Sequence, residues 1–165
     1  MVRTSVRGAV TAVLVLTLYV GVGQRQISAQ PLHYFPSPAE TDGRFLSNAG
    51  GGLSTLAQPN TLISIAAPPA ATAILIGIFD GDTSGTWDFG SVPLEFTLFA
   101  DPDGNGTGTL QVGQWLGNTM PDNVWVDNVI PTDVSAQAPS GNFFYVLRVR
   151  STNPNTTHWS NYKVR

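Results

Sequence analysis

The sequence contains no cysteine among its 165 residues. Small exported domains often add disulfides to a thin hydrophobic core, and this chain has to be stable without them. The absence also excludes thiol catalysis, haem attachment through thioethers and thiolate metal sites. The fold must therefore be held by the packing of apolar side chains, with or without the help of a bound ion.

Positive charge is also scarce. Eight Lys and Arg residues stand against eleven Asp and Glu residues. Arg3, Arg7 and Arg25 precede residue 30, so the chain from Gln30 onward has a formal charge of 5 − 11 = −6. Nucleic acids and anionic lipids are both bound mainly through Lys and Arg. The charge balance therefore argues against a nucleic-acid partner and against a membrane-surface partner.

The N-terminus is typical of a secretory signal peptide. A basic start is followed by the uncharged run Gly8–Val22 and then by a small residue, Ala29, at a suitable cleavage position. The uncharged run is shorter than the roughly 20 residues of a bilayer-spanning helix. We predict a signal peptide over residues 1–29, cleaved from a secreted or cell-surface protein, with an uncleaved membrane anchor as the alternative. The form of this predicted signal peptide favours a bacterial source.

Residues 30–60 follow neither a helical nor a strand pattern. They contain four prolines and the run Asn48-Ala49-Gly50-Gly51-Gly52. Proline and glycine at this density interrupt regular structure. This range is therefore predicted to be a flexible arm that precedes the folded domain.

Residues 61–165 show the pattern of a half-buried antiparallel sheet. Within 94–100, Leu94, Phe96 and Leu98 share one face, whereas Glu95 and Thr97 share the other. Short apolar runs of this kind alternate with turn residues and predict an all-β, antiparallel β-sandwich of jelly-roll-like or Ig-like form. The candidate strands are 61–66, 72–79, 86–89, 94–100, 109–116, 123–127, 142–150 and 159–164.

Gly113 interrupts the candidate strand 109–116. A glycine inside a strand often marks a β-bulge, because the extra residue bends the chain. A bulge here would turn both Val112 and Trp115 toward the core.

Acidic residues are concentrated in one interval. Nine of the eleven lie between Asp80 and Asp133, where there is no Lys or Arg. Within it, Asp101, Asp103 and Asn105 have the spacing of the first half of an EF-hand calcium loop, with Gly106 at the turn and the Thr107 carbonyl as the next ligand. The bidentate Glu of an EF-hand is replaced by Val112, so the pattern indicates a calcium half-loop outside the EF-hand class.

Further calcium ligands are available in an earlier acidic loop, at Asp80 and Asp82. They reach the same ion only if both loops lie at one end of the sandwich, which requires residues 86–89 to form a strand. Otherwise the loops fall at opposite ends. The alternative to a calcium site is an ordinary pair of Asp-Gly turns, in which Asp bonds its own backbone.

The residues Phe79-Asp80-Gly81-Asp82, the later Trp87-Asp88 and the run from Phe96 to Gly104 resemble exported bacterial β-sandwich modules. They are most similar to pre-peptidase C-terminal-type domains, in which a strand leads into an Asp-Pro-x-Gly turn. The resemblance implies a module that accompanies a secreted enzyme and assists binding or export. No protease is recognisable in this sequence.

Three other functions can be compared: glycoside hydrolysis by carboxylates, catalysis by a triad and sugar stacking on aromatic rings. Asp80, Asp82, Asp88 and Glu95 include enough carboxylates for glycoside hydrolysis, whereas a catalytic triad is disfavoured because His33 and His158 lie far apart and no nucleophile elbow is present. Exposed Trp residues would suit sugar stacking, although Trp in strands more often packs in the core or at its rim. The aromatic residues concerned are Trp87, Trp115, Trp125, Trp159, Tyr145 and Tyr162.

The sequence as a whole favours a non-catalytic extracellular binding or structural module with a calcium site in acidic loops. The extracellular ligand is not identified by the residues, and a glycan and a protein both stay open. The alternative function is a small secreted hydrolase of the glycosidase type that depends on carboxylates.

Overall fold

The computed structural model describes residues 33–36, 44–49, 60–81, 94–152 and 159–165. The predicted signal peptide, the candidate strand 86–89 and Asp82 lie outside these residues. Within them, no helix has the length and the apolar character needed to cross a membrane.

The described residues form eight β-strands and two short 3₁₀ turns, with no α-helix, which confirms the prediction of an all-β fold. The strands are β1 (Leu46–Ala49), β2 (Asn60–Ala67), β3 (Ala73–Asp80), β4 (Leu94–Ala100), β5 (Leu110–Leu116), β6 (Trp125–Pro131), β7 (Phe143–Ser151) and β8 (Trp159–Val164). The 3₁₀ turns are Gly117–Thr119 after β5 and Val134–Ala136 after β6.

The strands make two four-stranded antiparallel sheets. Sheet A has the order β1-β8-β3-β6 and sheet B has the order β2-β7-β4-β5. The strands pair in a nested order, in which the first pairs with the last and each following pair lies inside the one before. The pairs are β1 with β8, β2 with β7, β3 with β6 and β4 with β5. Eight strands nested in this way across two sheets form a jelly roll, which is one of the two sandwich forms that the sequence predicted.

The core lies between the sheets and follows from strand alternation. In β4, the side chains of Phe96 and Leu98 are fully buried toward sheet A, and in β7 the same is true of Tyr145 and Leu147. The ring of Phe96 meets the ring of Tyr162 from β8 edge to face, with centroids 5.3 Å apart. Aromatic and aliphatic side chains from both sheets therefore close a single apolar layer.

The predicted bulge is present in β5. Leu98 is opposite Gly113, whereas Phe99 is opposite Gln111, which leaves Val112 as the extra residue. Val112 and Trp115 both pack against the core, as the sequence predicted. Glycine at position 113 leaves room for Trp115, because a Cβ there would lie 2.8 Å from Cη2 of that ring and the ring would have to shift.

Strand β1 lies within the range that the sequence predicted to be an arm. It pairs with β8 in a register that sets Leu46 opposite Tyr162, and Phe35 forms an isolated bridge with Val164. The inward position next to Leu46 on this face is held by Asn48, whose side-chain amide donates to the carbonyl of Val149 at 2.8 Å. A polar residue at an inward position hides the alternation, which explains why the sequence did not indicate this strand.

Candidate functional site

The β4–β5 loop, residues 101–109, begins at a firmly held residue. The backbone N–H of Asp101 donates to the carbonyl of Phe144 at 2.9 Å, and the N–H of Gly104 donates back to the carbonyl of Asp101 at 2.8 Å. Gly104 and Gly106 have φ values of 63° and 79°, which glycine adopts without strain. The loop therefore folds tightly over the end of sheet B.

The Asp101 carboxylate lies at the centre of this loop and is only 3% exposed as a residue. Its Oδ2 accepts a hydrogen bond from the backbone N–H of Gly106 at 2.8 Å. Among the described residues this is the only hydrogen bond to the carboxylate, and none of them forms an ion pair with it. A buried carboxylate normally has several hydrogen-bond donors or a cation around it. The oxygens of Asp101 could therefore accept further hydrogen bonds or bind a cation.

Asn105 closes a smaller turn within the same loop. Its Oδ1 accepts from the backbone N–H of Thr107 at 2.9 Å and from the Thr107 hydroxyl at 2.5 Å. This is an Asx turn at Asn105, whereas the alternative to metal binding that the sequence offered was a pair of Asp-Gly turns. A cation that bound the Asn105 oxygen would have to replace one of these donors.

A cleft of about 230 Å³ lies beside the loop. Three of the predicted ligand residues line it: the buried Asp101, the exposed Asp103, and Thr107. Ser135, from the 3₁₀ turn after β6, also lines the cleft. Asn105 is not among the lining residues, so the cleft joins Asp101, Asp103 and Thr107 but leaves Asn105 at the outer turn.

No group of three His, Asp or Glu side chains placed to hold a metal ion occurs in the part of the chain that the structure describes. From the described residues, a calcium ion in the cleft would therefore have the carboxylates of Asp101 and Asp103 alone. Calcium accepts backbone carbonyls, amides and water alongside carboxylates and takes 6–8 oxygen ligands in all. Carbonyl oxygens and water would have to supply most of the ligands of any calcium ion bound here.

Asp80 lies at the opposite end of the sandwich. A Cβ at Gly117 would lie 2.9 Å from Oδ2 of Asp80 and 3.4 Å from the backbone N of Leu94. Leu94 begins β4, and Asp101 follows its last residue, about 23 Å away at roughly 3.3 Å per residue. A single ion cannot bind both Asp80 and Asp101, so the hypothesis of one shared shell is corrected to a site in the β4–β5 loop alone.

The carboxylates considered for hydrolysis do not pair within the described residues. Glu95 lies on the outer face of sheet B and binds Arg150, with Oε2 and Nη2 2.9 Å apart. The hydrogen bond from Arg150 is the main reason why the pKa of Glu95 is lowered, whereas a general acid requires a raised pKa. Asp80 is buried in the inner layer of sheet A, and Asp88 and His158 lie outside the described residues.

The aromatic residues of the strands are used for packing. Tyr145 and Tyr162 are fully buried, and Trp115 packs against the core. Trp125 lies on the outer face of sheet A, where its ring contacts Phe79 at 5.5 Å between centroids and the Arg165 guanidinium lies 4.4 Å above it. These positions fit packing better than a sugar-stacking platform. Trp87 and the side chain of Trp159 are not described.

Comparison with protein-family models, curated proteins and solved structures finds no match to this chain. The topology of the two sheets defines the class as a jelly-roll β-sandwich, and its β4–β5 loop is acidic and tightly folded. The similarity of residues 79–104 to pre-peptidase C-terminal-type domains stays a prediction.

Proposed function

We propose that the protein is an exported, non-catalytic binding or structural module whose β4–β5 loop binds calcium. The ligands in this proposal are the carboxylates of Asp101 and Asp103 and the backbone carbonyl of Thr107, with Asn105 joining when its turn opens. The observation that carries it is the buried Asp101 carboxylate, which lines the cleft and has one hydrogen bond within the described residues.

The charge distribution supports a cation at this position. The interval from Asp80 to Asp133 contains no Lys or Arg, so no basic side chain of the same interval offsets Asp101 and Asp103. A divalent cation relieves the repulsion between neighbouring carboxylates more effectively than distant side chains do. Hard oxygen ligands favour calcium or magnesium over transition metals, and an irregular set with carbonyls and water favours calcium.

The loop also indicates that the affinity is modest. The position at which an EF-hand has its bidentate Glu is Val112, which the bulge in β5 turns against the core. No carboxylate can enter the site from that position. A site with two carboxylates suits the range of about 0.1–1 mM that is typical of extracellular calcium modules.

A calcium titration followed by nuclear magnetic resonance tests this proposal residue by residue. The backbone amides of Gly104, Gly106 and Thr107 should shift as calcium is added, because they belong to the loop that binds the ion. The amides of Gly117 and Asn123, at the opposite end, are the internal reference and should stay in place. Shifts confined to the opposite end, or no shift at millimolar calcium, would refute the β4–β5 site.

A further inference from the structure

The outer face of sheet B has one arginine with an unusual environment. Strand alternation places Arg148 on the side of β7 away from the core, opposite Leu62 of β2 and Thr97 of β4. Its guanidinium lies over the ring of Phe99, with Cζ 4.5 Å from the ring centroid. The side chain is half-buried and is held in place by this stacking.

No residue that the structure describes accepts a hydrogen bond from the guanidinium of Arg148. Its Nε is buried and has no hydrogen-bond partner, and within the described residues Arg148 forms no ion pair. The other arginines with a described partner differ, since Arg150 binds Glu95 and Arg165 binds both oxygens of Asp127. Buried donors in folded proteins nearly always have an acceptor, so an unpaired one requires an explanation.

Polar side chains surround Arg148 on the same face. Gln114 is opposite Thr97, and the amide of Gln111 donates to the amide oxygen of Gln114 at 3.3 Å. Leu62 is exposed on the other side of Arg148. We call Leu62, Thr97, Gln111, Gln114 and Arg148 the Arg148 face.

The charge near this face is positive, although the chain is acidic. The formal charges of Arg148, Arg150 and Glu95 sum to 2 − 1 = +1, whereas the formal charge of the chain from Gln30 onward is −6. The hydrogen bond of Glu95 goes to Arg150, and Glu95 acts on Arg148 only through a weaker charge attraction. The face is therefore suited to one negative group with two acceptor oxygens in a plane, which an arginine binds through paired hydrogen bonds.

We propose that the Arg148 face binds a carboxylate of an acidic saccharide, with the guanidinium of Arg148 on the carboxylate and the amides of Gln111 and Gln114 on neighbouring hydroxyls. A saccharide is favoured over an acidic peptide because the polar groups beside Arg148, on Gln111 and Gln114, are neutral amides that pair with hydroxyls. Arg148 itself lies on β7, an interior strand whose backbone groups are used in the ladder, so a peptide could add a strand only at the edges, along β2 or β5. The inference names a ligand class for the proposed binding module and rests on that function, but it does not need the calcium site.

The test is calorimetric titration of the protein with an oligoglucuronate in buffer containing EDTA. Binding should occur without calcium, and the methyl-esterified oligosaccharide should not bind, because esterification removes the charge. Arg148→Gln should weaken binding by about tenfold to a hundredfold, as expected for the loss of a charge-assisted pair. Arg148→Lys keeps the charge but loses the planar fork and should bind nearly as weakly.

Arg44→Gln is the matched control, since it removes the same charge from a residue next to Phe45, whose ring packs on Phe79 of sheet A. It should bind the oligoglucuronate as the wild type does.

If Arg148→Gln does not fold, Gln114→Ala replaces it and should still weaken binding. No binding by the wild type, equal binding by Arg148→Gln, or equal affinity for poly-glutamate would each overturn the inference. Calcium-dependent shifts in the β4–β5 loop would survive any of these results, so the two proposals fail separately.

Discussion

Asp101 and Gly106 close the β4–β5 loop through a single contact. The carboxylate of Asp101 accepts the backbone N–H of Gly106 at 2.8 Å, and this bond folds the intervening residues over the end of sheet B. Asp103 lies inside the closed segment and reaches the same cleft. The fold of this acidic turn therefore also brings two carboxylate residues to one cleft.

Asp101→Ala should destabilise the protein by about 1.5–3 kcal/mol, the usual contribution of a hydrogen bond to a charged group. Asp101→Asn keeps an acceptor oxygen for Gly106 and should be destabilised less. Urea unfolding in calcium-free buffer measures both. Equal stability of Asp101→Ala and wild type would show that the loop does not depend on this bond.

Gly108→Ala should destabilise the same loop for a steric reason. A Cβ at this position would lie 2.4 Å from the backbone carbonyl oxygen of Ala100, so the chain itself has to move. Overpacking of this kind costs about 1–3 kcal/mol. Thr109→Ala, at the neighbouring exposed position, is the control and should unfold at nearly the wild-type urea concentration. Matching midpoints for the two variants would contradict the close approach of Gly108 to Ala100.

Tyr162 should make the fold sensitive to alkali. Burial raises the pKa of Tyr162 from 10.0 to about 12. Because the folded pKa is higher than the unfolded one, the contribution to stability is complete below pH 10 and is lost as the pH rises toward 12. The difference corresponds to about 3 kcal/mol at most.

Tyr162→Phe removes the ionisable group and isolates this effect from the titration of other residues. The stability of the wild type relative to Tyr162→Phe, measured by urea unfolding at several pH values, should therefore fall across this alkaline range. A difference that stays constant from neutral pH to pH 12 would show that the phenol is not buried as described.

The sequence predicted the sheet well where alternation is strong and local. Strand β4 was expected at 94–100 and is observed as Leu94–Ala100, because its inward residues are all apolar. Strand β1 was missed because it is short and Asn48 occupies an inward position. The jelly-roll order was not predictable, since the nested pairing of β1 with β8 joins residues more than a hundred positions apart.

The residues of the candidate site were likewise predictable where they are close in sequence, and not where their positions depend on distant strands. The sequence grouped Asp101, Asp103 and Thr107 as ligands of one loop. In the structure they line one cleft, because a short loop brings them together without help from distant residues. Asp80 was considered for the same site, but its position depends on how the chain passes from sheet A to sheet B. Arg148 was visible only as an outward residue of a strand. Its lack of an acceptor depends on Glu95 binding Arg150, which the sequence does not reveal.

The thermal response to calcium tests the central claim most directly. A ligand that binds only the folded protein stabilises it by about 2.7 kcal/mol at a hundredfold excess over Kd. With a Kd of about 0.1–1 mM, 10 mM calcium should raise the Tm by several degrees, and magnesium should raise it less because it requires a tighter octahedral shell. Asp103→Asn should remove most of the response, whereas Asp122→Asn, in the β5–β6 loop at the opposite end, should keep it. A wild-type melting curve that calcium leaves unmoved would contradict the account and reduce the β4–β5 loop to an acidic turn.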